Sequence, residues 1–112
     1  MRPTIELTSL QEAEAAIERD TILLLYLSKE NCSVCHSLLP KVQEVMAAFP
    51  RIHFYHADVE QIKEMAGRFS IFTVPVLLLF VEGKEMLREA RFVRINDLEE
   101  KLDKISTMYL AE

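Results

Sequence analysis

The sequence predicts a single α/β domain over residues 1–112, with a mixed sheet of about five strands flanked by about four helices. Three observations carry that expectation. The continuous apolar run Thr21–Leu27, without alternation, reads as a strand buried on both faces, which a sheet covered by helices on each side requires. Up to Ser70, stretches with helical apolar spacing alternate with strand-like ones, the pattern of β-α-β units with parallel strands. Beyond Ser70 two strand-like runs lie too close for a crossover and need an antiparallel hairpin.

Ile5–Thr8 reads as a short edge strand. Ser9 and Glu12 then stand as an N-cap and its reciprocal partner, opening a helix to about Arg19. On it Leu10, Ala13, Ala16 and Ile17 recur at three- and four-residue steps and leave Glu12, Glu18 and Arg19 in water. Thr21–Leu27 is the first buried strand, broken by Ser28–Asn31. From Cys32 to about Phe49 the spacing turns helical, with an apolar band of Val34, Leu38, Leu39, Val42, Val45 and Met46. Pro40 lies inside that band, where a lost backbone bond costs ~3 kcal/mol unless the helix bends; a bent helix is expected.

Ile52–Asp58 is strand-like and Gln61–Phe69 helical, through Ile62, Met65, Ala66 and Phe69. Val76–Val81 and Met86–Phe92 form the hairpin around Glu82-Gly83-Lys84. Asn96 with Glu99 is expected to cap a last helix whose Leu98, Leu102, Ile105 and Tyr109 share one face. The order is β-α-β-α-β-α-β-β-α, with neither repeats nor linker-like Gly, Pro and Ser clusters.

A chain of 112 residues, 50% hydrophobic and 28% charged, supplies one core of ordinary size, so one active centre is expected. The net charge of −5 argues against a nucleic-acid partner, which calls for a basic face. Glu6 interrupts the N-terminal apolar stretch before the ~7–15 residues of a secretory signal. The apolar runs are far shorter than the ~20 residues of a membrane span, so a cytoplasmic protein without membrane association is expected.

The chemistry concentrates in Cys32 and Cys35, the only cysteines. In a reducing compartment such a pair is catalytic or metal-binding more often than a structural staple. It falls where a buried strand meets a helix N-terminus, whose unpaired N–H groups and partial positive charge stabilise a thiolate. Cys32 is best placed to benefit, and Cys35, three residues on, is within bonding reach of it. Cys32 would attack a substrate disulfide and Cys35 would resolve the mixed disulfide, with no cofactor needed.

This Cys-x-x-Cys at a strand-to-helix turn is followed by the helix-interior Pro40, by Asp58 ending the next strand, and by Phe72-Thr-Val-Pro75-Val-Leu-Leu-Leu-Phe with Gly83 beyond. In that combination the chain resembles the thioredoxin family over nearly its whole length. The resemblance implies a thioredoxin-like fold in which Pro75 is cis, lies against the cysteine pair, and leaves the backbone of Val74 to pair with a substrate strand. It also implies disulfide-containing protein or low-molecular-weight thiol substrates, and a NADPH-dependent reductase as electron source.

The departures from the family pattern are specific. Asn31 replaces a tryptophan, Ser33-Val34 a Gly-Pro dipeptide, Tyr26 a buried aspartate that helps deprotonate the resolving thiol, and Arg91 a groove-lining glycine. His36, at i+4 from Cys32, is a candidate proton donor or acceptor and otherwise a solvated helix residue.

Three other readings compete. A zinc site would need His36, His53, His56 or a carboxylate to complete the ligand set, and His53 and His56 face opposite sides of one strand. An iron–sulfur cluster would have to be shared between two chains, because one chain lacks a third and fourth cysteine. A non-catalytic thioredoxin-like binding module would hold a protein partner with Val74, Pro75 and the cysteine face, its thiols incidental. The thiol–disulfide oxidoreductase reading uses the cysteine pair most directly and leaves no metal site to assign.

Overall fold

A computed structural model describes residues 2–110 of the chain. Its elements are β1 (Ile5–Glu6), α1 (Leu10–Arg19), β2 (Ile22–Ser28), α2 (Ser33–Met46), β3 (His53–Asp58), α3 (Glu64–Arg68), β4 (Val76–Val81), β5 (Lys84–Ala90) and α4 (Ile95–Leu110). The strands form one five-stranded sheet in the order β1-β3-β2-β4-β5. β1 and β2 run parallel to β3, while β4 pairs antiparallel with both β2 and β5. The mixed sheet of the expected thioredoxin-like fold is therefore present, with its helices on both faces.

All seven residues of β2 are buried. Their side chains alternate between two cores, which explains why the sequence shows an unbroken apolar run there. Leu23, Leu25 and Leu27 pack with Ala13, Ile17 and Met65 under α1 and α3. Ile22, Leu24 and Tyr26 pack with Val42, Met46, Leu98 and Leu102 under α2 and α4. The sheet edges are protected differently: β1 is two residues long, and β5 carries Lys84, Glu85, Arg88 and Glu89.

Several boundaries differ from the sequence reading. β1 stops at Glu6 rather than Thr8, while β2 continues through Ser28, which is in register with Asp58. The Ser9 hydroxyl accepts from the Glu12 N–H at 3.1 Å as expected, but the Glu12 carboxylate reaches back to the N–H and hydroxyl of Thr8, at 2.6 and 2.7 Å. α2 ends at Met46, after which Ala48 and Phe49 donate to carbonyls three residues back. Pro40 lies inside α2 on its exposed side.

α3 is shorter than expected because Asp58 builds a turn first: its Oδ1 accepts from Glu60 and Gln61, at 2.8 and 3.2 Å. β5 runs over Lys84–Ala90 instead of Met86–Phe92. It begins straight after a two-residue turn, Glu82 and Gly83, both at positive φ. It ends where Arg91 adopts φ 62° and leaves the extended conformation. Asn96 does not cap α4. Leu98 N–H already donates to Arg94 O at 2.9 Å, so the ladder starts earlier and Asn96 falls within the first turn. Of the expected apolar face of α4, Leu98 and Leu102 are buried, Ile105 is half-buried and Tyr109 is exposed.

Because Leu77 on β4 is completely buried, Leu77→Ala is expected to cost about 2–5 kcal/mol. Met86→Ala, half-exposed on the edge strand, is expected to stay within about 0.5 kcal/mol. Urea unfolding midpoints of the two variants measure the difference; equal losses would contradict the two-core arrangement.

Candidate active site

β2 delivers the chain through Lys29–Asn31 to Cys32, which is the N-cap of α2 in an extended conformation. Its sulfur accepts from the Cys35 N–H at 3.2 Å, and its carbonyl accepts the His36 N–H at 3.2 Å. A side chain at the N-cap satisfies a helix donor that would otherwise lack a partner, and the same donors stabilise negative charge on the sulfur. Cys32 and Cys35 are joined as a disulfide, with their Cα atoms 5.3 Å apart. Cys32 is half-buried, whereas Cys35 is 1% exposed.

The Val74–Pro75 peptide bond is cis, and Pro75 is buried directly before β4. Val74 and Pro75 line one groove of about 510 Å³ with Cys32, Ser33 and Val34. Phe72 and Phe92, 92% and 83% exposed, border this groove, and the Arg91 guanidinium sits 5.3 Å from the centre of the Phe92 ring. The four residues expected from sequence are thus brought together. The two phenylalanines were not singled out. Phe72 entered only within the Pro75 motif and Phe92 only as the end of a strand-like run, and the position of Phe92 emerges once Arg91 ends β5.

Behind the disulfide lies a second cavity, of about 360 Å³, lined by Cys35 together with Tyr26, Ser28, His36 and His56. Tyr26, which replaces the family's aspartate, is fully buried and donates its hydroxyl to Cys35 O at 2.6 Å. Burial pushes its phenol far above the ordinary 10.0. His56 lies in register with Tyr26 on one side and Glu6 on the other. Its Nδ1 is 2.6 Å from the Glu6 carboxylate and its Nε2 is 2.6 Å from Ser28 Oγ. His36 is exposed and places Nε2 2.5 Å from the Glu30 carbonyl.

His53 points away from this cavity toward Asp20, at 3.8 Å, so the two histidines of β3 do face apart. Among the described residues no three His, Cys, Asp or Glu side chains converge as metal ligands.

The family model for thioredoxin matches residues 4–104. The thioredoxin-like protein YdfQ of Bacillus subtilis is 44% identical over the full length of both chains. The chain belongs to the thioredoxin family. Thioredoxin-1 of Saccharomyces cerevisiae is 27% identical over 69% of this chain and 75% of its own length. In fold, the crystal structure of mitochondrial thioredoxin 3 from the same yeast superposes with a TM-score of 0.80 at 19% identity, covering 90% of this chain and 94% of that one. Thioredoxin from Trypanosoma brucei brucei gives 0.84 at 16% identity, over 92% and 90%. With a Cys-x-x-Cys pair at disulfide distance on this frame, the protein is a thiol–disulfide oxidoreductase.

The replacement of the family's aspartate by Tyr26 has a measurable signature. A phenol whose folded pKa is raised adds stability that is fully present below its unfolded value, near 10.0, and is lost as pH rises beyond it. Tyr26→Phe is expected to lower stability by about 1 kcal/mol at neutral pH. Above pH ~10 it should flatten the alkaline decline by up to ~1.4 kcal/mol per pH unit. Urea unfolding at stepped pH tests both; an unchanged alkaline slope would show that Tyr26 ionises equally in the folded and unfolded chain.

Proposed function

We propose that this protein is a cytoplasmic protein-disulfide reductase in which Cys32 attacks and Cys35 resolves. The observation that carries the assignment of roles is the difference in access: Cys32 opens onto the groove at a helix N-terminus, and Cys35 is buried behind it. A substrate disulfide reaches Cys32 first. The resulting mixed disulfide then presents the Cys32 sulfur to Cys35, and substrate leaves as a thiolate that takes up a proton.

Val74 and Pro75 form the substrate contact in this reading. They border the same groove as Cys32, immediately before the β4 pairing begins at Val76, so an extended substrate segment laid along Val74 continues the sheet's backbone geometry. Phe72, Phe92 and Val34 offer apolar contacts on either side of the sulfur, while Lys29 and Arg91 supply positive charge. Substrates are accordingly polypeptide disulfides with apolar neighbours and, secondarily, low-molecular-weight disulfides. A NADPH-dependent reductase returns the electrons. The cytoplasm suits a chain whose only two cysteines form an exchange pair.

The test combines redox titration with variants. In glutathione buffers the pair is expected to show one two-electron transition by thiol alkylation and mass. Cys32→Ser should abolish reduction of a peptide disulfide, while Cys35→Ser should stall as a covalent adduct through Cys32. An adduct on Cys35 in the Cys32→Ser variant at comparable rate would reverse the roles, and failure of the pair to close at any poise would remove the dithiol mechanism.

A further inference from the structure

Resolution requires the thiol proton of buried Cys35 to go somewhere, and the fold places a hydrogen-bonded series of side chains on the same side of the sheet. We propose that Glu6, His56 and Ser28 form a proton relay for Cys35, with His56 as the acceptor. This rests on the reading in which Cys35 resolves a mixed disulfide on Cys32.

The register of the sheet assembles the relay. Glu6 on β1 and Tyr26 on β2 each lie beside His56 on β3, so the three side chains project from one face. Ser28, two residues beyond Tyr26, projects from that face as well. A carboxylate only accepts, so Glu6 Oε1 at 2.6 Å fixes the proton of a neutral His56 on Nδ1. Nε2 is then the free lone pair, and Ser28 Oγ at 2.6 Å donates to it. Ser28 and His56 line the cavity of about 360 Å³ that also reaches Cys35.

The other ionisable groups around this cavity are committed elsewhere or carry the wrong charge. Tyr26 spends its proton on Cys35 O. Asp58 Oδ1 is held by the Glu60 and Gln61 N–H groups. His36 must carry its proton on Nε2 to donate to the Glu30 carbonyl, on the exposed rim where the Glu30 side chain also lies. Lys29 is a cation, which favours the Cys35 thiolate without accepting its proton.

In the step itself, Ser28 passes its hydroxyl proton to His56 Nε2 and takes the proton of Cys35. The electron pair left on Cys35 forms the bond to Cys32 Sγ. The bond between Cys32 and the substrate sulfur breaks, and its pair departs on the substrate thiolate. The two cysteines are oxidised together by two electrons and the substrate disulfide is reduced by the same two. The imidazolium, paired with Glu6, returns its proton to solvent.

Reduced protein mixed with a stoichiometric aromatic disulfide, 5,5′-dithiobis(2-nitrobenzoate), separates the steps: one coloured thiolate leaves on attack by Cys32 and a second on resolution by Cys35. In His56→Gln the second phase, relative to the first phase of the same variant, is expected to slow at least about tenfold near pH 7, given the ~10²–10⁴ typical of a positioned base. Its rise with pH should also move to higher pH, as resolution comes to depend on an unassisted thiol. Glu6→Gln, at an exposed position on β1, removes the carboxylate that orients His56 and should slow the second phase severalfold. A second phase with wild-type rate and pH profile in both variants overturns the relay, as does slowing in His36→Gln alone. Absence of both phases in the wild-type protein would instead remove the thiol-exchange reading on which the relay rests.

Discussion

The structure depends on burying β2 completely. Flanked by β3 and β4 and covered on both faces, this strand cannot tolerate a polar side chain without a partner, and Tyr26 and Ser28 each have one. That burial fixes the direction in which the chain leaves the sheet after Ser28. It therefore fixes where α2 begins and where the Cys32 sulfur stands. β4, antiparallel on the other side of β2, brings Pro75 up at the same end, since Leu27 pairs with Val76. The two halves of the site are thus held by one register.

Tyr26 shows how the same frame accommodates different chemistry. A carboxylate at this position would bring a charge into a core where desolvation is costly; a phenol fills the space, stays neutral and spends its one donor on the Cys35 carbonyl. This holds α2 against the sheet at Cys35. It also means that residue 26 cannot supply a base, and a titratable side chain in register with it lies one strand further out. His56 sits there with Glu6 and Ser28 at hydrogen-bond distance, at the edge where β1 is short enough to leave the imidazole part-exposed.

Much of this was legible in the residues. The unbroken run of β2, the Ser9 and Glu12 pair, the hairpin and the cysteine spacing each express a local rule that tertiary structure did not override. What was not legible depended on long-range pairing. Asn96 has cap chemistry, yet packing of Leu98 and Leu102 lets the helix start a residue before it. Arg91 stands where the family pattern has a glycine, but its left-handed backbone, which glycine takes more readily, shows only in the structure. Glu6 and His56 are fifty positions apart, and only the parallel register of β1 on β3 makes them neighbours, so His56 could be considered from sequence only as a metal ligand.

The disulfide divides the site into two compartments with different tolerances. On the Cys32 side the groove is exposed, apolar at Val34, Phe72 and Phe92, and bordered by Lys29 and Arg91. Its side chains reach outward, so they can change with substrate while leaving the sheet untouched. On the Cys35 side every relevant group is bound to another element: Tyr26 to α2, Ser28 to His56, and His56 to β1. A change there propagates through hydrogen bonds between strands. Among the described residues, Lys29 alone borders both compartments, directly after the last residue of β2. A cation at that point lowers the energy of negative charge on either sulfur, through a screened interaction on the groove side and a less screened one in the cavity. In a chain of net charge −5, the groove is bordered by Lys29 and Arg91 while the cavity also holds Glu6, Glu30 and Asp58, so the two sulfurs face opposite electrostatic surroundings.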